Sequence, residues 1–243
     1  MPKNSPHLHV FATAAQVLRG LADYFVAQAS AAQAARGRFA VALSGGSSPK
    51  SLYELLASDE YRHKVDWTRT FFFFGDERYV PLDDPDSNYR MARLALLEPL
   101  HIPAQQVFAV DTVLPPAEAA QAYTAAMQSF FGAGMRFDLV LLGLGDDTHT
   151  ASLFPHTPVL RATVAEAQAV FLEQKQVHRI TLTAPLINQA RAVAFLVYGA
   201  GKAAAVQTAL HGARNTEEHP AQLIAPDEGA VQWFLDEAAN LTP

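Results

Sequence analysis

Short, wholly apolar runs alternate with amphipathic segments along the chain. The runs with the length and composition of buried strands are Phe39–Leu43, Thr70–Phe74 and residues 137–142. Apolar positions between them recur at helical spacing, which predicts helices over residues 13–35, 49–57, 88–97 and 117–131. We expect Gly37 to end the first helix, and Ser48 to cap the second with Pro49 at its first position.

The second half of the chain continues this alternation. Strand-like runs cover residues 169–172, 179–183, 191–198 and 231–235, with a shorter candidate at 107–110 and a helix expected over 202–210. Strands that are apolar on both faces and alternate with helices indicate a mostly parallel, helix-covered, Rossmann-like sheet of the α/β class. Because no repeat, low-complexity segment or linker interrupts the pattern, residues 1–243 are expected to form a single domain.

Composition restricts the classes of partner. The net charge of −6 argues against nucleic acid or an acidic membrane as a partner, although a local site can still bind an anion. The absence of cysteine excludes disulfides, thiolate metal sites and cysteine nucleophiles. The first residues lack the apolar core of a signal peptide, and no apolar run approaches the ~20 residues that span a bilayer. We therefore expect a cytoplasmic protein.

The loop after the strand at 137–142 contains the most informative residues. Gly143, Gly145, Asp146, Asp147 and His149 follow that strand directly, where ligands bind in open α/β sheets. Histidine can move protons near neutral pH, so His149 is a candidate general base. A loop-capping role is the alternative for a lone histidine, but the strand-end position among aspartates favours the base.

A nicotinamide dinucleotide site is not expected at this loop. The Gly143-x-Gly145 spacing begins a dinucleotide-binding pattern, but Thr148 occupies the position of its third glycine. No acidic residue ends a strand at the expected distance after it.

A second strand-end loop has the composition of an anion site. Ser44, Gly45, Gly46 and Ser47 follow a strand and precede a helix, where backbone N–H groups and the positive end of the helix can bind phosphate. The sequence is not a Walker A loop. An ordinary tight turn between strand and helix is an equally open interpretation.

Charged residues also follow the phenylalanine-rich strand. Asp76, Glu77 and Arg78 form either a solvated loop or part of a site. In a site, Asp76 could bind a hydroxyl group or position a water molecule, and Arg78 could face a developing oxyanion. A metal site built from Asp76, Glu77 and Asp146 lacks any typical ligand spacing, so no metal is expected.

Two cations in the second half of the chain are candidates for binding phosphate. Lys202 is expected in the first turn of a helix, where a cation opposes the macrodipole unless an anion is bound. Arg179, on or beside a strand, could supply fork-like donors to the same anion. Taken singly, each is more often a surface charge.

Taken together, these segments resemble the 6-phosphogluconolactonase family, which shares its fold superfamily with glucosamine-6-phosphate deaminase. The matching sequences, in the family's order, are Ala-Leu-Ser-Gly-Gly-Ser-Ser-Pro at 42–49, Phe-Gly-Asp-Glu-Arg-Tyr-Val-Pro at 74–81, Ser-Asn-Tyr at 87–89, residues 143–155, Arg-Ile-Thr at 179–181 and Gly-Lys-Ala at 201–203. The combination of His-Thr-Ala-Ser-Leu-Phe-Pro with Gly-Asp-Glu-Arg is highly specific for that family.

The resemblance implies cofactor-free hydrolysis of a sugar-phosphate lactone, 6-phospho-D-glucono-1,5-lactone, in the oxidative pentose phosphate pathway. By that analogy His149 is the general base, and Arg78 is the candidate for stabilising the tetrahedral intermediate. The residues implied to hold the 6-phosphate are Ser44, Gly45, Gly46, Ser47, Arg179 and Lys202. Asp76, Asn88 and Asp147 would orient these groups or bind hydroxyls. The implied protein is a single deaminase-like domain, a monomer or a weak homo-oligomer.

Two other functions stay open. One is glucosamine-6-phosphate deamination or a related aldose–ketose isomerisation, although those enzymes usually continue their histidine loop as His-Ile-Ala-Phe-Asn-Glu-Pro. The other is a non-catalytic sugar-phosphate sensor, a class that typically carries an attached DNA-binding region. The Thr-Ala-Ser-Leu-Phe-Pro sequence at 150–155 favours the lactonase.

One position departs from the resemblance. The family usually has Asp-Gly-His where this chain has Asp147, Thr148 and His149. Since a β-branched residue adopts a positive φ only with strain, we expect Thr148 to have a negative φ. Its side chain is expected to point away from the site or to donate a hydrogen bond near Asp147. Thr148→Gly should then preserve activity and leave stability unchanged or slightly lower.

Overall fold

The computed structural model describes residues 5–132, 134–226 and 228–241. Its strands, in chain order, are β1 (His7–Phe11), β2 (Phe39–Leu43), β3 (Thr70–Phe74), β4 (Asp76–Arg78), β5 (Leu139–Leu142), β6 (Ala167–Leu172), β7 (Val177–Leu182), β8 (Val193–Val197) and β9 (Val231–Asp236). They form a parallel six-stranded sheet with the order β1-β9-β8-β5-β2-β3, and a three-stranded antiparallel sheet with the order β4-β7-β6. The predicted class, an α/β fold with a mostly parallel sheet, is confirmed.

The helices cover the parallel sheet. They are α1 (Ala14–Arg36), α2 (Ser47–Ala57), α3 (Asn88–Ala92, continued by the π-helical segment Arg93–Leu97), α4 (Pro116–Phe131), α5 (Ala184–Asn188) and α6 (Ala203–His211). Short 3-10 turns occur at Trp67–Arg69, Ala104–Gln106, Pro158–Arg161, Ala200–Lys202 and Pro220–Leu223. None of the helices within the described ranges combines the length and apolar character that crossing a bilayer requires.

Both faces of the parallel sheet are buried, which explains its continuous apolar strands. In β2, Phe39, Val41 and Leu43 pack into one hydrophobic core, while Ala40 and Ala42 pack into the core on the other face. All of these side chains are inaccessible or nearly so. Because successive side chains of a strand point to opposite faces, only a sheet covered on both sides buries them all.

The second helix begins earlier than expected. α2 starts at Ser47 with Gly46 as its cap, so Ser48 is not the cap and Pro49 is not the first helical residue. Gly46 has a φ of 107°, a conformation that glycine adopts without steric cost, and it makes the turn directly after the loop. Pro49 still lies in the first turn, where its missing N–H costs no helical hydrogen bond.

The predicted strands near 169–172 and 179–183 do not join the parallel sheet. They correspond to β6 and β7, which a short turn connects, so the two strands pair antiparallel. β4, which lies in a segment expected to be a loop or site, completes this small sheet. The candidate at 107–110 makes only an isolated bridge, between Phe72 and Val107. That the whole chain forms a single domain stays a prediction.

Gly75 connects the two sheets. Its N–H donates to the carbonyl oxygen of Leu43 at the end of β2, at 2.8 Å, and its own carbonyl oxygen accepts from the N–H of Leu182 in β7, at 2.9 Å. The chain therefore leaves β3 and enters β4 through one residue that bonds to both sheets. This places the small sheet beside the carboxyl ends of the parallel strands.

Candidate active site

A cavity of about 360 Å³ opens where the parallel strands end. Ser44 follows β2, Gly143 follows β5 and Tyr198 follows β8, and all three line it. Both the position and the size are typical of small-molecule sites in α/β proteins. Except for Asp147, which contacts His149, every residue predicted for the site lines this cavity. These lining residues are Ser44, Gly45, Gly46, Ser47, Asp76, Arg78, Asn88, His149, Arg179 and Lys202.

His149 and Asp147 form a hydrogen-bonded pair. Nδ1 of His149 lies 2.5 Å from Oδ1 of Asp147, and the same oxygen accepts the backbone N–H of His149 at 3.1 Å. Burial acts to raise the pKa of Asp147, but the hydrogen bond and charge of His149 outweigh it and hold the pKa below its ordinary value. An ionised carboxylate at Nδ1 fixes the ring orientation and leaves Nε2 as the nitrogen for proton transfer.

The imidazole of His149 is held between a glycine and an aromatic ring. A Cβ atom at Gly145 would lie 2.0 Å from Nδ1, so only glycine permits this approach. On another side, the ring stacks on Phe154 with centroids 4.0 Å apart. These contacts restrict the ring to one orientation toward the cavity.

Asp76 is held by side chains from distant segments. Its Oδ2 accepts a hydrogen bond from Oγ of Ser152 at 2.7 Å, and Nδ2 of Asn88 donates to its carbonyl oxygen at 2.9 Å. Asn88 is only 2% exposed and packs on Gly45, where a Cβ atom would lie 2.0 Å from its Oδ1. Asn88 therefore lies in the cavity wall between the Gly45 loop and Asp76.

Glu77 is an anchor for the loop that leads into α3. Its carboxylate accepts the backbone N–H groups of Arg78, Asn88 and Tyr89, each at 2.7 Å, and the hydroxyl of Ser87 at 3.2 Å. Burial raises the pKa of Glu77, while these backbone donors act in the opposite direction. Among the described residues, no group of three or more His, Asp or Glu side chains could hold a metal ion.

Within the described part of the chain, four cations line the cavity: Arg78, Lys175, Arg179 and Lys202. Arg78 and Arg179 lie opposite each other in the register of β4 and β7. Burial, and then the charge of Arg78, lower the pKa of Arg179. Since arginine stays protonated, this pair of like charges would be stabilised by an anion bound between them.

Lys202 lies at the cap position of α6 rather than inside its first turn, and it contacts residues 143–149, the histidine loop. Its Nζ donates to Oδ1 of Asp146 at 2.6 Å and to the carbonyl oxygen of Leu144 at 2.8 Å. The carboxylate of Asp146 thus neutralises Lys202 in this structure. An incoming phosphate would compete with Asp146 for the ammonium group.

Ser152, Phe154 and Lys175 are among the cavity residues to which the sequence interpretation gave no role. Ser152 and Phe154 belong to the same His-Thr-Ala-Ser-Leu-Phe-Pro sequence as His149, which is the signal that could have identified them. Lys175 lies in the turn between β6 and β7, with its Nζ 5.3 Å from the centroid of the Phe154 ring. No local pattern marks a turn lysine as part of a site.

The expectation of a negative φ at Thr148 is wrong. Its φ is 63°, and its side chain is 3% exposed. The hydroxyl donates to the carbonyl oxygen of Asp147 at 2.6 Å, so the expected hydrogen bond near Asp147 is present. Local strain does not decide this conformation, because contacts with a segment about seventy residues later stabilise it.

Residues 12–233 match the family model described as glucosamine-6-phosphate isomerases/6-phosphogluconolactonase. The chain is 45% identical to 6-phosphogluconolactonase of Synechocystis sp. over 217 residues, which cover 86% of this chain and 88% of that protein. It is 39% identical to the Homo sapiens 6-phosphogluconolactonase over 239 residues, which cover 96% and 92% respectively.

The structural comparison gives the same assignment. The solved structure of 6-phosphogluconolactonase from Trypanosoma brucei matches with a TM-score of 0.85 and 33% identity, covering 98% of this chain and 99% of that one. On the family match and these identities, the chain belongs to the glucosamine-6-phosphate isomerase/6-phosphogluconolactonase family.

Proposed function

We propose that this protein hydrolyses 6-phospho-D-glucono-1,5-lactone to 6-phosphogluconate, a step of the oxidative pentose phosphate pathway. The observation that carries the proposal is the pairing of His149 with Asp147 in a cavity that four cations line. A base and an excess of positive charge suit the hydrolysis of an anionic ester. The named relatives support the same substrate.

In the proposed mechanism, His149 Nε2 takes a proton from water as the water oxygen attacks the lactone carbonyl carbon. The carbonyl oxygen becomes an oxyanion, which the guanidinium of Arg78 stabilises. Collapse of the intermediate breaks the bond to the ring oxygen, and the imidazolium returns its proton to that oxygen. The acid that is released ionises, so each turnover yields one proton at neutral pH.

The opposite end of the substrate would bind through its phosphate. The turn at Ser44, Gly45, Gly46 and Ser47 leads into the eleven-residue helix α2, whose N-terminus offers backbone N–H groups and a positive dipole. Arg179 and Lys202 line the same cavity and supply charge-assisted donors. Asp76, held by Ser152, is then placed to bind a sugar hydroxyl.

A cytoplasmic enzyme that acts as a monomer or a weak homo-oligomer fits this proposal. The absence of cysteine is compatible with a reducing compartment. Light scattering across a range of protein concentrations would measure the oligomeric state. Fractionation of cells that express the tagged chain would test the compartment.

The decisive experiment generates the lactone in situ by enzymatic oxidation of glucose 6-phosphate. Acid release is followed with the native protein, with His149→Ala at the same concentration and with no added protein. The proposal requires a rate above spontaneous hydrolysis in the native protein and a much lower rate in His149→Ala. Ammonia release from glucosamine 6-phosphate would instead indicate a deaminase. Binding of sugar phosphates without any turnover would indicate a sensor.

A further inference from the structure

The histidine loop contains a conformation that its own sequence disfavours. Thr148, between Asp147 and His149, has a φ of 63°, in the left-handed region where a β-branched residue is strained. The turn itself is regular, since the N–H of Thr148 donates to the carbonyl oxygen of Gly145 at 3.0 Å. The N–H of Gly145 in turn donates to the carbonyl oxygen of His149 at 2.8 Å. Something outside the loop must stabilise Thr148.

That stabilisation comes from residues 218–221, which lead into and begin the 3-10 turn Pro220–Leu223. The N–H of Ala221 donates to the carbonyl oxygen of Thr148 at 3.0 Å. Nδ1 of His219 lies 3.3 Å from Oγ1 of Thr148, and the carbonyl oxygen of Glu218 lies 3.4 Å from the same hydroxyl. Both the backbone and the side chain of Thr148 are therefore bonded to one distant segment.

The hydrogen-bond directions can be deduced from the atoms. A hydroxyl has one proton, and the short 2.6 Å contact with the carbonyl oxygen of Asp147 uses it. Toward His219 the hydroxyl oxygen can then only accept, so Nδ1 of His219 carries the proton. His219 is itself fixed, because its backbone N–H donates to the carbonyl oxygen of Asn215 at 2.8 Å.

We propose that His219 is a positioning residue for the reaction, which holds Thr148 in its left-handed conformation through the Nδ1–Oγ1 hydrogen bond. Thr148 connects the two members of the Asp147–His149 pair, so a change in its φ would tilt the imidazole relative to the cavity. This inference rests on the proposed lactonase function, and it concerns a contact that a glycine at position 148 could not make. A threonine at this position is tolerated because His219 is present.

A double-mutant cycle tests the coupling. His219→Ala in the native chain is expected to lower kcat about ten- to hundredfold through misplacement of His149, with little change in KM. His219→Asn places an amide nitrogen at the position of Nδ1 and should recover most of the loss. In the Thr148→Gly background, the same His219→Ala change should have little further effect, because glycine needs no support at positive φ and has no hydroxyl.

His156→Ala is the matched control. Nε2 of His156 lies 3.2 Å from Oε2 of Glu218, so it touches the same segment without contacting Thr148. It should leave kcat unchanged. Equal losses from His219→Ala in the native and Thr148→Gly backgrounds, or no loss in the native chain, would overturn the proposal.

A second measurement separates this inference from the proposed function. The Tm of thermal unfolding is measured for the native chain, the two single variants and the double variant. Coupled His219 and Thr148 should give non-additive changes in Tm even if the native chain hydrolyses no lactone. An inactive native chain with non-additive Tm values would refute the lactonase alone. Additive Tm values would refute the contact itself.

Discussion

Nδ1 of His149 and Oδ1 of Asp147 lie 2.5 Å apart although the two residues are separated by only one position in the chain. A left-handed residue between them makes this contact possible, because it turns the backbone back on itself. The base and the group that orients it therefore belong to one short loop. Each of the two side chains can therefore be substituted without removing a contact between the pair and a distant segment.

We expect His149→Ala to lower kcat by roughly 10²–10⁴-fold, the range for removal of a general base, while the fold is retained. The measurement is acid release from the 6-phospholactone, with thermal unfolding as the control for the fold. Near-normal turnover in this variant would move the base role to another residue, with Asp76 the first to examine.

Asp147→Asn should lower kcat by a factor on the order of 10²–10⁴. The reason is that the amide N–H can donate to Nδ1 of His149, which favours the tautomer with the proton on Nε2, the nitrogen that must accept a proton from water. KM should change far less. Asp146→Asn is a suitable comparison, since this neighbouring carboxylate bonds to Lys202 and not to His149. If both variants lose turnover equally, the orienting role of Asp147 is wrong.

Arg179→Ala and Lys202→Ala should mainly raise KM for the phosphorylated substrate. Hydrogen bonds to charged groups contribute about 1.5–3 kcal/mol, which corresponds to about tenfold or more. Each variant is compared on the 6-phospholactone and on unphosphorylated gluconolactone. Lys64→Ala, which removes a lysine that packs over the ring of Tyr61, is the control. Equal impairment with both substrates would disprove the phosphate assignment.

The Asp147–His149 pair also predicts a dependence of stability on pH. The pKa of Asp147 is lower in the folded protein than its ordinary value of 3.8, so the unfolded state binds its proton more readily. Its stabilising contribution is therefore complete above that ordinary value and is lost as the pH falls through the folded pKa. We expect Tm to fall less steeply with acid in Asp147→Asn than in the native chain. His149→Ala should likewise weaken the dependence of Tm on pH in acid. If Tm falls with acid as steeply in both variants as in the native chain, the Asp147–His149 pairing is contradicted.

Two buried tyrosines hold the strand ends at the cavity. The hydroxyl of Tyr123 accepts the N–H of Phe74 at 2.7 Å and donates to its carbonyl oxygen at 3.0 Å. Tyr53 bonds in the same way to Ser44, at 2.9 and 2.8 Å. Each Tyr→Phe change leaves buried backbone groups unpaired and should cost about 1–3 kcal/mol.

Denaturant unfolding measures this cost. Tyr24→Phe is the matched control, because the hydroxyl of this partly buried tyrosine makes no hydrogen bond within the described part of the chain. A loss in Tyr24→Phe as large as in Tyr53→Phe would show that the backbone contacts are not the cause.

The sequence correctly predicted the strands in which every or nearly every residue is buried. β2 and β3 begin and end at the predicted residues, because every position of β2 and nearly every position of β3 is buried. β1 was not predicted, since His7–Phe11 at the sheet edge is mostly exposed and has no continuous apolar run. The assignment of β6 and β7 to a separate sheet depends on Gly75, whose bonds to both sheets are invisible in a local pattern.

The site shows the same division. The sequence placed Asp147 beside His149 and both candidate loops directly after strands, where ligands bind in open α/β sheets. The bond between Asp76 and Ser152 joins residues far apart in the chain, and only tertiary structure brings them together. Thr148 was misjudged for a related reason, because His219 reverses what local strain alone would dictate.

The two sheets contribute different groups to the cavity. His149 is supported by the loop after β5 of the parallel sheet, whereas Arg78 and Arg179 belong to strands of the small antiparallel sheet. Substitutions on the β6–β7 hairpin can thus reshape the electropositive wall that meets the ligand, and those at Lys175 also reach Phe154, on which the His149 ring stacks. To change the selectivity among lactones, the β6–β7 hairpin is therefore the first element in which to make substitutions.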